Sequence, residues 1–256
     1  YCSKSMKRLI EDIAISLLVL TRIPVNGLLK DLQKVEIYRG QWAYPLVGTF
    51  IGFFIFLIIQ ILEAVGMPQN AAIIIALSIG TFLTGALHED GLADFFDSLG
   101  GQDYESRQKI LRDSNVGAFG VLALISNFLL RYTLISQLDT DFAMFIGLLA
   151  SYTVGRYSIL IIYNQCEVAK QSGLTKELRK LNLGTLILCG LFSIVWVIPA
   201  GVGATIMIVM LGLALVYLLT KVVVPYSKGI SGDLLGLSVQ LFELLTLSIV
   251  CIAFLS

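Results

Sequence analysis

The sequence predicts an all-α integral membrane protein, a polytopic helical bundle of about seven transmembrane helices preceded by a short N-terminal interfacial or re-entrant helix. Three observations carry that prediction. Hydrophobic residues make up 57% of the 256 positions and charged residues only 14%, which lies outside the range of soluble domains. The apolar residues gather in runs long enough to cross a hydrocarbon layer. The Lys and Arg residues sit almost wholly in alternate loops, as the positive-inside rule requires.

Met6-Lys7-Arg8 reads as a start, with Tyr1 to Ser5 as an upstream extension. Leu9 to Leu20 does not read as a cleaved leader: Glu11 and Asp12 interrupt it, and Thr21-Arg22-Ile23-Pro24 is no small-residue cleavage site. Its apolar part, Ile13 to Leu20, is too short for a ~30 Å layer that takes about 20 residues to cross. It is therefore expected to lie in the interface, or to dip in and return. A polar stretch from Arg22 to Arg39 follows. The apolar runs are then Tyr44–Val65, Ala71–Leu87, Val116–Ser136, Phe142–Tyr163, Leu183–Ala200, Gly203–Leu219 and Leu234–Leu255, of which the second, fifth and sixth are barely long enough. Lipid offers backbone groups no partners, so each such run must be a helix.

Every Lys and Arg except Arg131 and Arg156 falls before Tyr44, in the loops ahead of Val116 and Leu183, or after Leu219; the loops at Gly66–Asn70, Gln137–Asp141 and Gly201 carry none. The loops at about 22–43, 88–115, 164–182 and 220–233 are thereby assigned to the cytoplasm. Arg131 lies near the outer end of its run and reads as a side chain that snorkels to the surface. No repeat or low-complexity tract divides the chain, so residues 1–256 read as a single membrane-embedded catalytic domain. The net charge of zero gives no global field for nucleic acid, and a homo-oligomer is compatible with the sequence but not required by it. Cys2, Cys166, Cys189 and Cys251 form no CxxC pair and suggest neither a disulfide framework nor a zinc site.

The chemistry centres on Thr84 to Gly101, which reads T-G-A-L-H-E-D-G-L-A-D-F-F-D-S-L-G-G and holds the chain's one histidine, His88. On a helix the spacing of Asp90, Asp94 and Asp97 places three carboxylates within about a 60° arc. At an effective dielectric near 20, two such charges ~6 Å apart repel by roughly 3 kcal/mol, against about 0.7 kcal/mol in water. Two readings follow: a solvated acidic face, or a partly buried face held together by a cation. The position at the end of an apolar run, with no interleaved lysine, favours the cation, and hard oxygen ligands suit Mg²⁺.

His88 points away from the aspartates on an ideal helix, so a role as acid or base requires a kink near Gly91; otherwise it is structural. Arg112-Asp113-Ser114-Asn115 precedes a membrane run. There Asp113 or Ser114 caps the helix, or Asp113 adds a fourth carboxylate while Arg112, with Ser114 beside it, holds a phosphate at the helix N-terminus. Asp233 and Glu243 lie ~15 Å apart on the last run. Asp233 is a cap or a site residue, whereas an ionised Glu243 must face the bundle interior and a partner. Arg156 is that partner or a phosphate contact. Arg39 is an inner-face anchor or a phosphate contact.

Taken together, H-x-D-G-L-A-D-x-x-D, R-D-S-x-x-G-x-x-G, T-R-I-P, R-x-x-x-x-Y-P-L-V-G and G-D-x-x-G, in this order-preserving set along essentially the whole chain, resemble the cobalamin synthase family of adenosylcobinamide-GDP ribazoletransferases. The resemblance implies a Mg²⁺-requiring membrane enzyme that joins adenosylcobinamide-GDP to α-ribazole, or to α-ribazole 5′-phosphate, with release of GMP. It places His88, Asp90, Asp94 and Asp97 on the acidic motif, Arg112 and Asp113 on the second, and Asp233 and Glu243 on the last. His88, Asp94 and Asp113 are then the catalytic candidates. Asp90, Asp94, Asp97 and Asp113 are the metal ligands, and Arg39, Arg112, Ser114, Arg156, Asp233 and Glu243 the substrate contacts. Glu89, Ser98 and Gln240 depart from the residues usual at their positions in that family. A CDP-alcohol phosphotransferase is a rival, but Asp94 and Phe95 stand where its signature expects alanine and arginine. A cation-coupled transporter would spread polar residues at mid-depth over several helices, whereas this chain gathers its charge at one face.

Overall fold

The computed structural model describes residues 2–25, 27–29, 35–111, 115–169 and 173–255. Among these the chain is helical: α1 (Cys2–Leu20), α2 (Tyr44–Ala64), α3 (Gln69–Thr84), α4 (Leu87–Ser98), α5 (Tyr104–Ile110), α6 (Ala118–Ser136), α7 (Asp141–Gln165), α8 (Leu183–Val195), α9 (Val202–Leu218), α10 (Val224–Ser227) and α11 (Gly232–Leu255). The β-structure among the described residues is one isolated parallel bridge, Val168 to Ile230, which ties the loop after α7 to the start of α11.

The core is built around α7. This helix is apolar on all sides rather than along one stripe, the pattern of a central helix, and its side chains from Ala143 to Tyr163 are mostly buried. It packs along α2 on one side and α11 on the other. The outer helices keep apolar side chains at the surface. Leu122 of α6, Leu188 of α8 and Met210 of α9 are 60%, 68% and 62% exposed, as expected of helices that face lipid. The result is a multi-pass membrane bundle.

The number of spans differs from the sequence expectation of about seven. Among the described residues, five helices are long and apolar enough to cross: Ile37–Ala64 (counting the 3₁₀ turn before α2), α6, α7, Val202–Val223 and α11. The second expected run is broken. Gly85 and Ala86 both take left-handed backbone angles, φ 68° and 57°, and α4 leaves α3 at an angle of 89°. The pair makes a sixth span only if counted as one; we read α4, with its row of carboxylates, as lying outside the spanning segments. The fifth expected run yields α8, thirteen residues long, because the chain turns at Trp196 and re-forms as a short 3₁₀ helix at Ile198–Ala200 with Pro199 inside it.

The N-terminal helix is amphipathic, as expected of an interfacial element. Ala14, Ile15 and Leu20 are buried while Met6, Leu9 and Ile10 are exposed, and α1 is not among the helices apolar enough to cross. Arg39 fixes it to the 3₁₀ turn Ile37–Ala43 by donating to Asp12 at 2.8 Å and Glu11 at 3.4 Å.

Candidate active site

Helix α4 forms as the spacing of its residues predicts, without a kink from Leu87 to Ser98. It is pressed against α11 at a glycine pair. A Cβ added to Gly91 would lie 2.6 Å from the Asp233 carbonyl oxygen, and one added to Gly236 would lie 3.2 Å from the Cα atoms of both Gly91 and His88. This close crossing brings Asp233, at the first turn of α11, beside the acidic face of α4. Asp233, which the sequence left as a cap or a substrate contact, thus stands beside Asp90 and Asp94, while Asp97, the third carboxylate of the expected set, is engaged elsewhere.

The electrostatics are those of like charges held close. Asp94 is pushed up to about 6, first by its partial burial and then by the carboxylates of Asp90, Asp233 and Asp97. Ser231 donates to Asp233 at 3.3 Å. Arg107 and Tyr104 of α5 line, with Asp233 and Phe95, a small cavity of about 20 Å³ beside the cluster, and Arg107 donates through Nε to the Gly101 carbonyl at 3.0 Å. Arg107 counted in the sequence only as an inner-face positive charge, because nothing in its spacing tied it to α11.

Asp97 has other work. Helix α6 begins with Gly117 at its N-cap, which has no side chain to offer the orphan amides. Both Asp97 oxygens take that place, accepting from Gly117 N at 2.7 Å and Gly120 N at 2.8 Å. Arg112, Asp113 and Ser114, expected to cap this helix or to hold a metal and a phosphate, lie outside the described residues. Among the described residues, no three His, Cys, Asp or Glu side chains converge closely enough to hold a metal ion. The oxygen donors of Asp90, Asp94 and Asp233, crowded and of one sign, nonetheless suit a hard cation, and Mg²⁺ is commonly bound through one or two carboxylates plus substrate phosphates. Asp97 would have to release α6 to join them.

His88 is not brought to the aspartates. Because α4 is unbroken, the imidazole falls on the α11 side, 2% exposed, and its Nδ1 has no hydrogen-bond partner. Burial first, and then Arg156 and Arg131, hold it well below the usual histidine range, so it is neutral. The geometry separates it from the cluster where it was expected to act as acid or base.

Glu243 faces the interior, and Arg156 is its partner, as one of the two sequence readings held. Its second partner was missed: Arg131 also donates to Glu243. Arg131 does not snorkel; it is 6% exposed. Position along the helix suggested the surface, but side chains from three other helices enclose it. Arg131 donates to Gln240 at 3.2 Å and lies 3.8 Å from Glu89, and both guanidiniums stand 4.9 Å from the ring centre of Tyr152. Asn127 donates to Gln240 at 2.6 Å. The available signal was that a charge inside a span is functional or paired by default. Arg39 belongs to neither group and serves the α1 contact described above.

Comparison with known proteins identifies the family of the chain. The sequence model of the family described as Cobalamin-5-phosphate synthase matches residues 12–251. The chain is similar to the adenosylcobinamide-GDP ribazoletransferase of Bradyrhizobium diazoefficiens, with 30% identity over 96% of this chain and 95% of that protein. It is similar to the protein of the same name from Clostridium botulinum strain Loch Maree, with 33% identity over 93% and 96%. A third, from Mesorhizobium japonicum, is 28% identical over 97% and 96%. No solved structure matches.

Proposed function

The chain belongs to the cobalamin-5-phosphate synthase family, and from that premise we propose that it is an adenosylcobinamide-GDP ribazoletransferase whose chemistry takes place at the α4–α11 acidic cluster. In this reaction a hydroxyl of α-ribazole, or of its 5′-phosphate, attacks the phosphorus on the cobinamide side of the diphosphate. The bond to the GMP oxygen breaks, GMP leaves, and the hydroxyl proton passes to a base. The observation that supports this site best is the gathering of Asp90, Asp94 and Asp233 on the crossing of two helices, with Asp94 pushed up to about 6 by partial burial first and then by its carboxylate neighbours. Like charges held side by side repel in isolation, and the set becomes favourable when the ligand brings a counter-charge.

Asp90, Asp94 and Asp233 would hold Mg²⁺ together with the substrate diphosphate. Bound there, the ion would supply neutralisation of the charge that builds on the phosphoryl oxygens. Asp94, with its raised affinity for a proton, is suited to take the hydroxyl proton. Arg107, which lines the cavity beside Asp233, would meet the departing phosphate, and Arg112 would share that role by resemblance. The buried Arg131–Glu243–Arg156 group would fix the relative positions of α6, α7 and α11 around the site rather than touch the reacting atoms. The one-sided basic residues favour a site that opens to the cytoplasm, in the cell membrane, where nucleotide-activated substrates are present.

The test is incubation of the purified protein with adenosylcobinamide-GDP and α-ribazole, with and without Mg²⁺, following GMP. The expected result is GMP in stoichiometry with the corrinoid product, and none after chelation. Wild-type protein that releases no GMP with both substrates and Mg²⁺ present overturns the assignment.

A further inference from the structure

Between α3 and α6 lies an open crevice of about 520 Å³, within the size range of small-molecule sites, which the acidic cluster does not use. Its walls are apolar and aromatic, with Phe82 and Phe128 among them; its polar end is formed by Glu89, Asn127 and Arg131, and Thr81 lines the α3 side. Two acceptors at that end are buried without a partner, Glu89 Oε2 and Asn127 Oδ1. The hydrogen-bond network fixes the orientation of Asn127. Gln240 Oε1 already accepts from Arg131, so Asn127 must present its NH₂ group to that oxygen, which leaves its own oxygen free.

We infer that this crevice seats the aromatic ribonucleoside substrate, its apolar base between α3 and α6 and its ribose hydroxyls donating to Glu89 and Asn127. The inference rests on the ribazoletransferase reading above and assigns one of its two substrates a place. The chemistry selects among occupants. A phosphate would meet a carboxylate and an amide oxygen rather than free donors, since Arg131 is already engaged by Gln240, Glu243 and Glu89. The corrinoid, with its macrocycle and amide arms, is too large for the crevice. A lipid chain fills apolar space but leaves both acceptors unmet, which buried polar groups rarely tolerate. A nucleoside of a methylated benzimidazole satisfies both ends. Glu89 precedes Asp90 on α4 and points about 100° away from it round the helix axis, so a ribose held there sits at the same level of α4 as the cluster, on an adjoining face.

The test uses the full chain in detergent or nanodiscs. In Thr81→Cys, a near-isosteric change, maleimide labelling above the wild-type background is measured with α-ribazole, with adenosylcobinamide-GDP, and with neither. Labelling is expected to slow at least about fivefold with α-ribazole and to stay unchanged with adenosylcobinamide-GDP. In Asn127→Leu the KM for α-ribazole is expected to rise about tenfold, the scale of one lost hydrogen bond, while the KM for adenosylcobinamide-GDP stays within twofold. Labelling indifferent to α-ribazole in a protein that still releases GMP overturns the inference and leaves the activity standing. So does a rise of both KM values together, or protection by added phospholipid in place of α-ribazole, which would make the crevice a lipid site. A wild type that releases no GMP defeats the underlying activity instead.

Discussion

Asp94 shows how a site residue can be read from stability as well as from rate. Its carboxyl is held near 6, against an ordinary value of 3.8, so the folded state favours the protonated form. That contribution is fully present below about pH 3.8 and is lost as pH rises through 6, so above 6 the charge is a cost. Partial exposure discounts that cost to about 1 kcal/mol. Asp94→Asn should therefore raise the melting temperature of the metal-free protein by a few degrees at pH 7.5, with the gain fading toward pH 4, while turnover falls at least about a hundredfold. A thermal-shift series across pH, paired with GMP release, checks both. Glu243 predicts the reverse. Removing its charge leaves Arg131 and Arg156 buried without their shared counter-ion, so Glu243→Gln should cost about 3–5 kcal/mol of stability, read as a lowered thermal inactivation temperature at every pH. The helical period made the aspartates legible in the sequence. Arg131 was not, because burial depends on what α4, α7 and α11 place around it, and a position along one helix carries no such information.

At the scale of elements, α4 was visible as a helix, but the break before it was not. The apolar run through Leu87 reads as continuous, and the left-handed pair Gly85–Ala86 involves an alanine, a residue that gives no local warning of positive φ. The close approach of α4 to α11 likewise depends on Gly91 and Gly236 meeting, which neither segment announces alone. Gly91→Leu should separate the two helices and abolish GMP release, since its side chain would meet the Asp233 backbone; retained activity in that variant would place the chemistry elsewhere. Asp97→Ala removes the only side-chain acceptor seen for the first turn of α6 among the described residues. The expected loss is about 1–2 kcal/mol, the scale of a helix cap, measured by thermal unfolding, with a smaller effect on turnover than Asp94→Asn. Helix α8 fell short of a span because the chain turns at Trp196, ahead of Pro199, a break that apolar composition alone does not register.

Over the whole molecule, composition and charge placement were sufficient for a helical membrane bundle, since both follow from what lipid does to backbone and charge. They overcounted the clear spans because hydropathy sees apolar length and not direction. The same charge pattern predicts that a cysteine placed at Gln102 is labelled by an impermeant maleimide only from the cytoplasmic side, and one at Asp139 only from the other. On the function proposed above, tasks are divided by depth: buried ion pairs would fix the helices, and the carboxylates at the α4–α11 crossing would hold a cation and a diphosphate. Titration of the purified protein with Mn²⁺ as a paramagnetic substitute for Mg²⁺, followed by the loss of the free-ion EPR signal, tests this most directly. The wild type should take up Mn²⁺ more tightly when adenosylcobinamide-GDP is present, and Asp90→Asn/Asp94→Asn should show no gain over the substrate by itself. Equal uptake by the wild type and the double variant would contradict it.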